Sequence, residues 1–330
     1  DQIQSIRQEL IDLDEKRKLL QNKIHLLEMD HDPSTRIVVN TSSSITSESH
    51  HDLKIKLFMD LFKGRTDVFA KRFESLKSGR TGYQPACENE WVPAICKKPK
   101  IKCADCEYRA FTPITNTVIR DHLLGYALQD KSRRDFTVGV YPLRSDETCH
   151  FLAVDFDGSN WQEDILAYLH TCRDMDIPAV MERSRSGNGG HIWFFFFAPT
   201  SAKAARQMAS FILTKTMESH PEIGFHSYDR FFPNQDTMPK GGFGNLIALP
   251  LQGHPRLSNN SVFIDDNFIP FPDQWAFLST IKKISPSEIE AIVNDAAHKG
   301  NVLGVRFVDL DQDEEPWTAP PSRQRELDSI

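Results

Sequence analysis

Apolar residues at Ile3, Ile6, Leu10, Leu13, Leu20, Ile24 and Leu27 recur in alternating steps of three and four, with Arg17 in the one polar slot. Such spacing is a heptad seam, and Glu9, Asp14, Glu15 and Lys16 surround it. It predicts a helix over residues 1–30 that forms a short coiled coil for self-association or partner docking. An amphipathic helix packed on the chain's own body would show the same pattern. Periodicity stops over residues 31–52, where Ser and Thr dominate, and this stretch reads as a flexible linker. A globular pattern then runs over residues 53–300. Residues 301–330 are acidic, Pro-containing and poor in apolar side chains, which predicts a disordered tail or linker.

Inside the globular body the period switches between strand and helix. "HFLAVDF", from His150 to Phe156, reads as a buried strand. Asn160 to Met175 is helical, with Ile165, Tyr168, Leu169 and Cys172 on one face. "IPAVMERS" and "HIWFFFFAP" are further strands, the latter ended by Pro199. Ser201 to Ser219 is a helix with Ser201 as its N-cap, and "NLIALPL" from Asn245 is another strand. Strands joined by a short turn, with helices between others, predict an α+β fold: a mixed sheet with helices against it.

Composition narrows the class. The chain is 39% hydrophobic and 26% charged, and no apolar run reaches the ~18 residues of a membrane span. A net charge of −7 argues against nonspecific nucleic-acid binding by the whole chain. Residues 51–110 differ: 13 Lys and Arg face 8 Asp and Glu, so this region can meet phosphates. Six cysteines without a disulfide-like framework favour a reducing, cytoplasmic setting.

Four of those cysteines cluster within an insert spanning residues 83–110. Cys87, Cys96, Cys103 and Cys106 are separated by eight, six and two residues. A terminal Cys-x-x-Cys can grip one ion from a tight turn, and two further thiolates would complete a tetrahedral Zn²⁺ shell. A redox Cys-x-x-Cys would leave Cys87 and Cys96 unexplained. Chance clustering of structural cysteines is the plain alternative.

Oxygen ligands come from the strand before the first helix. Asp155 and Asp157 stand at positions i and i+2, so their carboxylates share a face and repel unless a cation binds or one is protonated. Mg²⁺ or Mn²⁺ would satisfy them, although acidic residues are also common where a strand leaves the core. Asp229 and Asp236 follow in an aromatic segment, and either could converge as a third acid on a two-ion site. Between them in sequence, residues 184–191 read "SRSGNGGH". Such a turn can bring main-chain N–H groups, the Ser186 hydroxyl, the Arg185 fork and His191 toward an anion. A long hairpin turn would favour the same residues.

Asp155-Phe156-Asp157, Ser186-Gly187-Asn188-Gly189-Gly190-His191 and Tyr228-Asp229, in that order, resemble the three motifs of the archaeo-eukaryotic primase superfamily. "GRTDVFAKRFE", "GYQPACENEW", "KCADC", "RSRSGNGGHIW" and "FFPNQDTMPKGGFGNLIALPLQ" look like the primase-polymerase domain of TOTE conflict systems and the related CRISPR-associated primase-polymerases. The resemblance spans about Leu61 to Gln252 and implies a catalytic core with an RRM-like half.

By that resemblance, Asp155, Asp157 and Asp229 are the catalytic, metal-binding acids; Tyr228 favours Asp229 over Asp236. Ser186, Gly187, Asn188, Gly189 and His191 would hold the triphosphate, with Ser184 competing with Ser186. Asn234, Lys240 and Asn245 would contact nucleotide or template, and Arg65 and Arg72 the nucleic-acid backbone. The cysteines match a zinc knuckle. The implied activity is template-directed nucleotidyl transfer with Mg²⁺ or Mn²⁺, on single-stranded DNA template and primer with nucleoside triphosphates. Two rivals stand beside it: a two-metal nuclease using the same acids, and a non-catalytic nucleic-acid-binding module.

Overall fold

The computed structural model describes residues 44–75, 79–221, 227–238 and 241–298. The expected coiled coil, most of the linker, the acidic tail and Lys240 lie outside them. Seven helices and nine strands are described: α1 (His51–Leu61), β1 (Ala70–Glu74), β2 (Thr81–Pro85), α2 (Asn116–Leu124), β3 (Val138–Val140), β4 (Thr148–Asp157), α3 (Trp161–Asp174), β5 (Val180–Arg183), β6 (Gly189–Ser201), α4 (Ala202–Ser219), β7 (Tyr228–Phe232), β8 (Ile247–Ala248), α5 (Gly253–Arg256), β9 (Val262–Phe263), α6 (Gln274–Ser279) and α7 (Pro286–His298). The strands form two sheets, ordered β2-β1-β3-β8 and β7-β4-β6-β5-β9.

Every pairing between these strands is antiparallel, which corrects the mixed-sheet expectation. The reason lies in the second sheet. Helix α3 carries the chain from β4 to β5, which run the same way, but β6 inserts between them. The run β4-α3-β5-β6-α4-β7 is thus a split βαββαβ unit of the kind found in RRM-like folds.

Its sheet is covered on both faces. Tyr168 of α3 packs on Phe156 and Phe194, with ring centroids 5.6 and 6.3 Å away. On the opposite face Phe62, at the end of α1, meets Trp193 at 5.1 Å and Phe195 at 5.3 Å. Four consecutive residues, Phe151 to Val154, are therefore wholly buried, each large one stabilising the fold by about 2 kcal/mol. Ile165, Tyr168, Leu169 and Cys172 are all buried, as the helical period predicts.

Three local expectations hold only in part. β6 does not stop at Pro199. Phe195 pairs with Phe151 and Thr200 with Cys149, so residues 196–199 bulge away from β4 and the missing proline N–H is tolerated. Phe197 is consequently 78% exposed, although the Phe run otherwise lies in the core. Ser201 stands at the N-cap of α4 but its hydroxyl makes no capping bond. The strand expected from Asn245 shrinks to Ile247 and Ala248, with Leu249 N–H still reaching Val138 O at 2.9 Å. Within the stretch expected to be a linker, Ser47 N–H bonds to Asp273 at 2.8 Å and Ile45 O accepts from Ser279 at 2.7 Å.

Candidate active site

Asp155 and Asp157 end β4 on the same sheet face as His191 and Glu182, because Asp155 pairs with His191 and Glu182 pairs with His191. Asp229 arrives on β7, the neighbouring edge strand. Ser227 docks the start of β7 against both β4 and α3: Asp157 N–H donates to Ser227 O at 2.7 Å, and Ser227 N–H and hydroxyl donate to the buried Asp164 of α3, the former at 3.3 Å. The result is one cluster, in which Asp155, Asp157 and Asp229 each place a carboxylate oxygen within 4.8 Å of the others. Asp236 is elsewhere, ion-paired to the buried Arg206 of α4.

Three acids this close disfavour full ionisation. Burial first, then repulsion from Asp155 and Asp229, raise the Asp157 carboxyl above its ordinary range. A carboxyl raised in this way stabilises the fold only at low pH, and that contribution is lost as pH rises through the folded-state value. Asp157→Asn should therefore melt a few degrees higher than the wild type at pH 7 in the presence of chelator. Calorimetry checks this, and a lower melting temperature would contradict the repulsion.

His191 is held from both sides. Its Nδ1 lies 2.9 Å from Glu182 Oε2 and its Nε2 lies 3.3 Å from Asp155 Oδ1. Burial alone would lower its pKa, but the Glu182 and Asp155 charges and hydrogen bonds outweigh it and lift the ring to about 10. Glu182 is only 1% exposed and also accepts from Trp193 Nε1 at 2.8 Å. Sequence reasoning missed Glu182. Its signal was a lone acid in an apolar strand, two residues before the serine-glycine turn.

The glycine turn is built partly for the protein itself. A Cβ on Gly189 would lie 2.1 Å from Asp157 Oδ1 and 2.7 Å from Phe156 O, so only glycine lets the acid take its place. Gly187 adopts φ +81°, a left-handed conformation that side chains resist. Ser186 is exposed on the turn and accepts from Asn188 N–H at 3.2 Å, whereas Ser184 is buried beneath it. Arg185 points away from the acids: its guanidinium bonds to Thr137 at 3.0 Å, Asp135 at 2.8 Å and Gln252. Arg72 of β1 shares the same Asp135 carboxylate at 2.9 Å, so this network ties the turn to the first sheet.

Other expected residues lie outside the acid cluster. Arg65 pairs with Asp67 and stands 5.5 Å from the Phe243 ring. Asn245 spends its side chain on Asn234 N–H at 3.1 Å and Phe231 O at 2.9 Å, past the end of β7. Asn234 Oδ1 is buried there without a partner among the described residues.

The four cysteines line one small cavity of about 20 Å³, and Cys87 also forms a β-bridge with Phe111. Ala110 N–H points at Cys87 Sγ at 3.4 Å, and the N–H groups of Lys98 and Trp91 lower the Cys96 thiol. Four thiols lining one cavity have the donor chemistry of a zinc site. No three sulfurs reach the mutual 4.8 Å closeness of the aspartates among the described residues.

A split βαββαβ sheet with three acids gathered at its rim is an α+β scaffold able to hold a divalent ion. The chain belongs to the archaeo-eukaryotic primase domain family of TOTE conflict systems, whose family model matches residues 53–292. That places it in a nucleotidyltransferase superfamily. Among solved structures it is similar to the polymerase domain of Mycobacterium tuberculosis ligase D in complex with DNA, at 12% identity, over 76% of this chain and 88% of that one, with a TM-score of 0.34. No curated protein matches it. Among the described residues no helix is long and apolar enough to cross a membrane.

Proposed function

We propose that this chain is a template-directed nucleotidyltransferase, a DNA primase-polymerase that extends or lays down primers on single-stranded DNA. The observation that carries this reading is the convergence of Asp155, Asp157 and Asp229 within 4.8 Å at the rim of a sheet, in a chain of this family. Hard carboxylate oxygens at that closeness suit Mg²⁺ or Mn²⁺. Asp155, Asp157 and Asp229 would hold such ions, whose chemistry there would be to lower the pKa of an attacking 3′-hydroxyl and offset the triphosphate charge.

The remaining residues position the substrates. Glu182 fixes the His191 ring through Nδ1, leaving Nε2 as the edge toward the acid cluster and the phosphates beside it. Ser186, Gly187 and Asn188 offer a hydroxyl and main-chain N–H groups from the adjoining turn, and Gly189 admits Asp157. Asn234, Lys240 and Asn245 remain candidates for nucleotide or template contact, and Arg65, ahead of β1, and Arg72, on β1, for nucleic-acid backbone. Residues 1–30 are assigned to self-association or partner docking.

A nuclease would use the same acids without a triphosphate pocket. The test is a labelled primer annealed to a DNA template with Mg²⁺ or Mn²⁺. It should lengthen with triphosphates and keep its length without them; shortening in their absence would favour the nuclease. For the cysteines, we expect about one equivalent of zinc in purified protein by metal analysis. A content well under half an equivalent would refute the zinc knuckle.

A further inference from the structure

The pairing of β7 with β4 contains an irregularity that bears directly on the acid cluster. Phe156 pairs with Tyr228 and Val154 pairs with Phe231, so Asp155 alone stands opposite both Asp229 and Arg230. In an unbroken strand, adjacent residues such as Asp229 and Arg230 point to opposite faces. A two-against-one bulge re-aims them. Here Arg230 Nε donates to Asp229 Oδ2 at 2.7 Å, while the two side chains remain 52% and 41% exposed. Asp155 and Asp157 are also near enough to favour the charged guanidinium.

Each outer acid thus has its own cation: His191 for Asp155 and Arg230 for Asp229. His191 is locked by a buried carboxylate, but Arg230 is held by this one exposed pair among the described residues. Exposed pairs of this kind are weak and exchange readily.

We infer that Arg230 is a resident counter-cation of the acid cluster, one that competes with a divalent ion for Asp229 and passes to the incoming triphosphate when that ion binds. This rests on the metal and triphosphate reading above. A guanidinium on Asp229 Oδ2 and a divalent ion held by the same carboxylate draw on one negative charge, and their like charges repel across the cluster. Once displaced, the guanidinium has its fork of N–H donors free for phosphate oxygens. Metal and nucleotide binding are then coupled, and the coupling acts equally in both directions.

Calorimetric titration of the whole chain with Mn²⁺, without nucleotide and at low salt, tests this. Arg230→Ala should bind Mn²⁺ about tenfold more tightly than the wild type. At saturating Mn²⁺ the same variant should bind a non-hydrolysable nucleoside triphosphate at least about fivefold more weakly. Arg230→Gln, which keeps most of the side-chain volume, should change both affinities in the same directions and serves if the alanine variant folds poorly. A merely structural loss would weaken both. Mn²⁺ affinity that is equal or weaker in both variants overturns the inference. Absence of Mn²⁺ binding by wild type and variants alike overturns the acid-cluster reading itself, and the inference with it.

Discussion

Asp155→Asn and Asp229→Asn should each abolish nucleotidyl transfer while leaving the fold intact. Both substitutions keep side-chain volume and remove one negative charge from a cluster whose oxygens lie within 4.8 Å. A lost ion ligand at the reacting centre costs about 4 kcal/mol of transition-state stabilisation, or roughly a thousandfold in rate. Asp229 is 41% exposed, and Asp155, largely buried at 13%, can still accept from His191 as an asparagine. Circular dichroism and melting temperature should therefore stay close to wild type. Asp236→Asn is the matched control. It breaks an ion pair with Arg206 outside the cluster, so it should cost stability while retaining transfer. Extension rates with Mg²⁺ and with Mn²⁺ check all three, and wild-type rates in either cluster variant would remove these acids from the chemistry.

Gly189→Ala should be nearly as damaging, by a different route. The new methyl would start 2.1 Å from Asp157 Oδ1, 2.7 Å from Phe156 O and 3.2 Å from Asp157 Cγ. Phe156 belongs to β4, held between β7 and β6, and is fully buried, so its carbonyl cannot retreat. Asp157 must therefore swing out of the cluster, or β6 must separate from β4 where Gly189 pairs with Asp157. Overpacking of this kind costs about 1–3 kcal/mol of stability. Displacing one ion ligand by about 1 Å costs about a hundredfold in rate. Denaturant melts and extension kinetics measure the two effects separately. A variant with normal stability and normal rate would show that the close approach of β6 to Asp157 is not needed.

These two expectations differ in how far the sequence foretells them. The shared face of Asp155 and Asp157 follows from strand period alone, and the structure places both on one side of β4. Asp229 is another matter. Its approach depends on β7 returning to the outer edge of β4, a consequence of the βαββαβ path that local pattern does not encode. The bulge that turns Asp229 and Arg230 toward the same cluster leaves no trace in residue types. Gly189 illustrates a half-legible residue. The turn asked for glycines, but that one of them makes room for Asp157 depends on the register of β4 against β6.

The first sheet was the least legible part. β1 reads "AKRFE" and β2 reads "TGYQP", short segments with polar residues on exposed faces and no clean alternation. β1 and β2 pair locally, but their place beside β3 is set by contacts distant in sequence, as is the Arg72–Asp135–Arg185 network that joins them to the glycine turn. Arg185 shows the cost of reading side chains from a motif alone. It looked like a phosphate fork, yet its donors are spent on Asp135, Thr137 and Gln252.

Template direction is the central claim, and single-nucleotide incorporation tests it most directly. Four DNA templates that differ only at the first unpaired base are each annealed to one labelled primer. Each is offered every nucleotide singly, in ribo- and deoxyribo- form, with Mg²⁺ or Mn²⁺. The account predicts that each template selects its complementary nucleotide, and that Asp155→Asn adds none. Addition that ignores the template, or no addition by the wild-type chain under any of these conditions, would contradict it.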